Sequence, residues 1–220
     1  MGLLLANRQF LYSLLHSTFG REPDEKLLEL LSAESTGQSF ALLSGEEGDV
    51  LAKTPAFLEK IREELSDPEW LEKVRDEYTR LFIGPDKLVA PPWESVYLSE
   101  DATLFQAVTL EVRETYRAFG LLPEAYPHVA DDSLALELAF MSKLAERTLE
   151  DFHNGDQEGM ARLLENQESF LKKHLLRWVP KFLDRMKKAN PQLLYPQLSL
   201  VTDAFIKRDC DTLMELRGLV

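Results

Sequence analysis

The chain holds a single cysteine, Cys210, among 220 residues. That excludes an intrachain disulfide and a cysteine-rich metal site, and it suits a reducing compartment. No uninterrupted apolar run approaches the roughly 20 residues that a bilayer-spanning helix needs. The opening MGLLLAN lacks the basic n-region and apolar length of a signal peptide, and Ala6 breaks the myristoylation pattern. The expected location is the cytoplasm, with no stable membrane insertion. Basic residues are scarce: 25 Lys and Arg stand against 38 Asp and Glu, a formal net charge of −13. A chain this acidic repels phosphate backbones, so no nucleic-acid partner is expected. It suits a basic partner, although an acidic surface also serves solubility alone. The phosphate-binding GxxxxGK[ST] and GxGxxG, the nucleophile elbow GxSxG, HExxH and CxxC are all missing. His16, His128, His153 and His174 are scattered without a metal-ligand spacing. No metal or cofactor is expected, and the usual catalytic patterns are absent.

Strand alternation and internal repeats are also lacking; what remains is helical periodicity. Leu4, Phe10 or Leu11, Leu14, Leu15 and Phe19 mark a helix over 3–19, which Gly20 can stop. Pro23 opens a second helix. A short one is read around Phe40–Leu43, followed by a flexible SGEEGD. Thr54-Pro55 is read as the start of a helix to Leu65, and Ser66-Asp67-Pro68-Glu69 as a strong start for another carrying Trp70, Leu71, Val74, Tyr78 and Leu81. Ser99 or Asp101 can cap a helix with the stripe Leu104, Val108, Val112, Tyr116 and Phe119, ended by Gly120. Beyond the proline-containing LLPEAYPHVADDS, a helix carries Leu134, Leu138, Met141, Ala145 and Leu149. The next is read from Asp156 to Leu175, then a corner at Trp178 and Pro180, a short KFLDRMKKA helix, a break at Asn190-Pro191, and two helices over 192–207 and 209–217. The expectation is an all-α, single globular domain over 1–220 with about nine to eleven helices, and a hinge near 84–98.

The stretch YTRLFIGPDKLVAPPWESVY, residues 78–97, stands out in this helical chain. Gly84-Pro85 stops the incoming helix, Pro91-Pro92 hold the next segment extended, and Trp93, Val96 and Tyr97 put apolar surface on it. Proline-braced aromatic loops of this kind are often functional. Trp93 and Tyr97 read either as core plugs or as the floor of a peptide groove, and Glu94 as an acidic candidate. Asp131-Asp132-Ser133 reads as a helix N-cap or as an acidic lip for a cationic ligand. Glu137, one turn on, lies near the buried stripe and needs a partner. His174, on an apolar face, reads as a core histidine with one hydrogen bond.

Four groups of residues carry a family resemblance. They are Tyr78-x-x-Leu81-Phe82-x-Gly84-Pro85, then Pro91-Pro92-Trp93-x-Ser95-Val96-Tyr97-Leu98, then Asp132, Leu134 and Glu137-Leu138-x-Phe140-Met141, and last His174-Leu175-x-x-Trp178-x-x-x-Phe182. With the all-helical pattern, they resemble the TorD/DmsD family of cytoplasmic redox-enzyme maturation chaperones, and PPWxSVYL is most similar to the dimethyl sulfoxide reductase branch. The resemblance implies a TorD-like fold and a non-enzymatic role. Such a chaperone binds the twin-arginine leader peptide and body of the catalytic subunit of a molybdopterin oxidoreductase, aids cofactor insertion and delays export. It admits the twin-arginine translocase as a further partner. Carried onto this chain, the leader site comprises Tyr78, Phe82, Gly84, Pro85, Pro91, Pro92, Trp93, Glu94, Ser95, Tyr97, Asp131, Asp132, Ser133, Glu137, His174 and Trp178. One departure stands out: where the family reads Glu-Pro-x-Asp-His, this chain reads Val129-Ala130-Asp131-Asp132-Ser133. Only the Asp132 carboxylate is kept, and no role of the family's imidazole carries over. A guanine-nucleotide switch and a generic helical interaction module are the rival readings.

Overall fold

Five of the helices start on an acidic or hydroxyl side chain that takes a free backbone N–H of the first turn. Asp24, Asp49, Asp67, Ser133 and Asp156 accept from Leu27, Leu51, Glu69, Leu136 and Gly159 respectively. The computed structural model describes residues 1–45, 49–85, 87–99, 107–123, 130–188 and 194–220. Among these, eleven helices run in order: α1 (Gly2–Gly20), α2 (Glu25–Ser32), α3 (Glu34–Ala41), α4 (Val50–Glu64), α5 (Pro68–Tyr78), α6 (Ser95–Leu98), α7 (Ala107–Ala118), α8 (Leu134–Asn154), α9 (Gln157–Lys173), α10 (Leu175–Met186) and α11 (Leu194–Arg217). A π-helical turn, Thr79–Ile83, extends α5. No strand is present among the described residues, which bears out the all-α expectation.

α1 lies along α8, and α9, α10 and α11 pack beside them while α3 and α4 pair on the other flank. One apolar core runs through all of these, from Leu5 to Leu216. Each fully buried Leu or Phe in it contributes on the order of 1.5–3 kcal/mol of transfer free energy. At the α3–α4 crossing Gly37 lets the backbones meet: a Cβ there would sit 3.0 Å from Pro55 Cα.

The core also holds an ion pair that the periodicity did not signal. Arg8 of α1 is fully buried and forks onto Asp209 of α11, with Nε–Oδ1 at 2.5 Å and Nη2–Oδ2 at 2.9 Å. Its Nη2 also donates to Gln167, which in turn donates to Thr148, and the Tyr12 hydroxyl donates to Asp209 at 2.6 Å. The pair is fully desolvated, so its fork geometry and added hydrogen bonds are what offset the cost of burial.

Several boundaries differ from the expectation. α4 begins at Val50, because Asp49 caps it, and Pro55 lies inside the helix. The corner expected at Trp178 and Pro180 falls at His174 (φ −120°, ψ −94°), and Pro180 lies within α10. The two helices expected at the C-terminus are one, α11: no Gly or Pro interrupts 197–217, and Asp209 is held by Arg8 at the expected break. Phe40 falls within α3, as read, and a left-handed Gly120 (φ 68°) follows α7. Asp101, Leu104, His128, Val129, half of SGEEGD and the Asn190-Pro191 break lie outside the described residues.

Candidate functional site

The π turn sets up the first wall of the site. Gly84 N–H reaches back to Thr79 O at 3.0 Å, five residues, and Gly84 then adopts φ 98°, ψ −166°, a conformation open to glycine. Tyr78 and Phe82 thereby meet at a tilt, ring centroids 5.2 Å apart, and both lean on Tyr195 of α11.

The second wall is a short stitched strip. Trp93 and Ser133 form an isolated antiparallel bridge: Glu94 N–H donates to Asp132 O at 2.9 Å and Leu134 N–H to Pro92 O at 3.0 Å. Two prolines ahead of Trp93 keep the segment extended for this pairing. Ser133 Oγ then caps α8 by accepting from Leu136 N–H. The residue that replaces the family's imidazole is thus a helix cap.

Between these walls lies a groove of about 1060 Å³. Tyr78, Phe82 and Ile83 line one side and Pro92, Trp93 and Ser133 another; Phe19 of α1, Leu121 and Leu122 after α7, and Leu136, Ala139 and Phe140 of α8 complete it. The lining is mainly apolar, and it includes the side chains of His16 and Lys143. The volume exceeds the range usual for small-molecule pockets, roughly 300–1,000 Å³. Ile83 and Leu122 are exposed large apolar side chains at this groove.

Of the residues expected to form the site, Tyr78, Phe82, Pro92, Trp93 and Ser133 line the groove. The carboxylates do not. Glu94, Asp131, Asp132 and Glu137 are all fully buried, so the acidic lip read from the sequence is an interior knot instead. Asp131 pairs with Arg113 of α7 at 2.7 Å, and Asp132 Oδ2 accepts the Ser95 N–H at 2.8 Å. His174 Nδ1 meets Glu94 Oε2 at 2.9 Å, and Trp178 Nε1 donates to Glu137 Oε2 at 3.1 Å. His174 is the buried, hydrogen-bonded core histidine that its apolar face suggested. Ser95 and Trp178 are buried as well, and Tyr97 stacks on Trp178 at 5.6 Å with Arg185 over its other face. Gly84, Pro85 and Pro91 shape the turns that flank the groove.

Burial pushes the Glu94 carboxyl up, against the lowering effect of His174, and pushes Glu137 well up, reinforced by the charge of Glu94. Burial also raises the Tyr116 hydroxyl, which donates to Asp131 O at 3.0 Å. Among the described residues no group of His, Cys, Asp and Glu could hold a metal ion. No described helix is long and apolar enough to cross a membrane.

Periodicity missed Phe19, Leu121, Leu122, Leu136 and Ala139 as site residues. A signal was present: α8 carries a second apolar row, Ala135, Leu136, Ala139 and Phe140, beside its main stripe. A helix apolar on two faces needs two things to cover it.

The family model described as nitrate reductase delta subunit matches residues 47–184, more than half of the chain. The chain is 27% identical to a chaperone protein TorD of Shewanella pealeana, over 94% of this chain and 89% of that one. It is 29% identical to a chaperone protein TorD of Shewanella sp. strain MR-4, over 92% and 91%. A probable Tat proofreading chaperone DmsD of Haemophilus influenzae is 28% identical over 60% of this chain and 57% of its own. The crystal structure of a putative redox enzyme maturation protein from Archaeoglobus fulgidus shares the fold, with a TM-score of 0.50, 22% identity and 91% and 93% coverage. The matched span takes in both walls of the groove and the carboxylate knot behind it, and the chain belongs to the nitrate reductase delta subunit family, that of the TorD and DmsD chaperones.

Proposed function

We propose that this protein is a maturation chaperone for a redox enzyme, without catalytic activity of its own, and that the groove between Tyr78–Phe82 and Pro92–Trp93 receives the client's leader peptide. The observation that carries the reading is the groove itself: about 1060 Å³ of aromatic and aliphatic lining on a family of chaperones. A twin-arginine leader joins a basic segment to an apolar one. The apolar segment lies against Phe19, Phe82, Trp93 and Leu136, in the manner of peptides held in hydrophobic grooves. The buried carboxylates are not what meets the arginines. The basic segment is drawn by the field of a chain with net charge −13. The client class is a molybdopterin oxidoreductase of the dimethyl sulfoxide reductase type, bound in the cytoplasm before export, with the twin-arginine translocase as a later partner. The chain works as one domain over 1–220, with 84–98 as the segment that moves when peptide enters.

Calorimetric titration with the twin-arginine leader of a reductase encoded beside this protein tests the reading. Saturable binding that is weakened when both arginines become lysine, and weakened by Phe82→Ala with the fold intact, supports it. No heat and no competition with any such leader sinks it.

A further inference from the structure

Ten buried side-chain polar atoms among the described residues have no hydrogen-bond partner, and six of them belong to the knot behind Trp93. They are Glu94 Oε1, Ser95 Oγ, Tyr97 OH, Asp131 Oδ1, Asp132 Oδ1 and Glu137 Oε1. Four are carboxylate oxygens, which accept hydrogen bonds and donate none when ionised. Glu94 and Glu137 meet side chains one turn apart on α10, His174 and Trp178, and each fully buried carboxyl group is left with one orphaned oxygen. Two carboxyl groups can bond to each other only through a proton, and that proton would satisfy both orphaned Oε1 atoms at once.

We propose that Glu94 and Glu137 share one proton, and that this proton latches the Trp93 wall of the groove. Glu94 follows Trp93 directly, and its own N–H is stitched to Asp132 O. The proton therefore ties α6 and the Pro92–Trp93 strip to α8, while His174 ties the same side chain to the start of α10. Loss of the proton to a solvent base turns one carboxyl–carboxylate pair into two carboxylates; no other bond changes. The groups facing the pair offer modest relief. Asp132 adds like charge, Tyr116 of α7 faces it with a hydroxyl, Asp131 is already paired with Arg113, and His174 and Arg177 of α10 approach Glu94 alone. Burial disfavours the doubly ionised state further, in agreement with the upward displacement of both carboxyl groups. Of the three elements meeting here α6 is a single turn, whereas α8 and α10 are built into the core, so relief comes by loosening the Trp93 strip. For the peptide this rests on the reading proposed above: rising pH opens the wall and weakens binding.

The test separates the latch from the ligand. The full chain carries 5-fluorotryptophan at Trp70, Trp93 and Trp178, assigned by single Phe replacements, and fluorine NMR follows each from about pH 5 to about pH 9 without peptide. The Trp93 resonance is expected to titrate and that of Trp70 to stay fixed. Glu137→Gln keeps a donor for Glu94 at every pH and is expected to abolish the titration. If that variant does not fold, Glu94→Gln removes the coupled proton from the other side. A Trp93 resonance that is constant in the unmodified chain overturns the proposal, as does a titration preserved in both glutamine variants. Calorimetry with the leader then reads the consequence, an affinity lower by about tenfold at the high-pH end, equivalent to ~1.4 kcal/mol, and pH-independent in Glu137→Gln. A titrating Trp93 in a chain that binds no leader at any pH leaves the latch standing and removes the peptide reading.

Discussion

Asp132 Oδ2 accepts the Ser95 N–H at 2.8 Å, 37 residues away in the chain. The same residue's carbonyl accepts from Glu94 N–H at 2.9 Å. One aspartate thus fixes the start of α6 twice, and through it the position of Trp93. The carboxylate kept from the Glu-Pro-x-Asp-His pattern is a structural clasp for the groove wall.

Asp132→Ala is therefore expected to cost stability, because the Ser95 N–H is left buried without an acceptor. The expected loss is on the order of 1–3 kcal/mol, read from urea unfolding. Asp132→Asn retains an acceptor oxygen and should lose less. Equal losses for the two variants would show that the charge, rather than the hydrogen bond, holds the turn.

Trp93 is only half-buried, and it lines the groove rather than the core. Trp93→Ala should weaken leader binding by about tenfold or more, as truncation of an aromatic anchor commonly does, with a loss of stability below the roughly 3–5 kcal/mol typical of a core Trp. Paired calorimetry and thermal unfolding measure both. Damage to folding equal to the damage to binding would favour a core plug, and with it the plain helical-module reading.

Glu77 takes the N–H groups of Leu194 and Tyr195 at the start of α11, and burial pushes its carboxyl up to about 7. A folded-state value above the unfolded one means that the folded chain holds the proton more tightly. Its contribution is complete below the unfolded value of 4.5 and is lost as pH rises through about 7. Stability should accordingly fall between pH 5 and pH 8, and Glu77→Gln should flatten that slope. An unchanged slope in the variant would assign it to the Glu94–Glu137 pair, which acts in the same direction.

Arg8→Met leaves the Asp209 carboxylate buried without its cation, and Asp209→Asn leaves the guanidinium in the same position. Each is expected to destabilise by about 3–5 kcal/mol. The double variant should recover a large part of that loss, because neither charge is then stranded. A double-mutant cycle in urea reads the coupling, and simple additivity would refute it.

The helical class, most helix starts and the breaks that bound 78–97 were legible in local sequence. Caps such as Asp67 before Pro68, and stripes at helical spacing such as Leu134, Leu138 and Met141, act within a few residues. Gly84 and Pro91-Pro92 likewise announce their breaks by backbone geometry alone. The same locality explains the errors. Pro180 looked like a corner because only its own ring was weighed, whereas the break falls at His174. The chain was read as divided near residue 208, yet Arg8, 201 residues away, receives Asp209 in the core.

The fate of the acidic residues illustrates the limit. Spacing put Asp131, Asp132 and Glu137 near one another, and the family resemblance joined Glu94 to them as a site. Whether a carboxylate faces a ligand or the interior depends on what stands opposite it. Arg113, the Ser95 amide, His174 and Trp178 come from three other parts of the chain and enclose all four. The sequence alone determined the helices, their caps and the proline-braced aromatic segment, since these follow from short-range sterics and periodicity. Tertiary structure decided that the aromatics line a groove and the acids lie behind it, because burial and long-range pairing arise only when distant segments pack together.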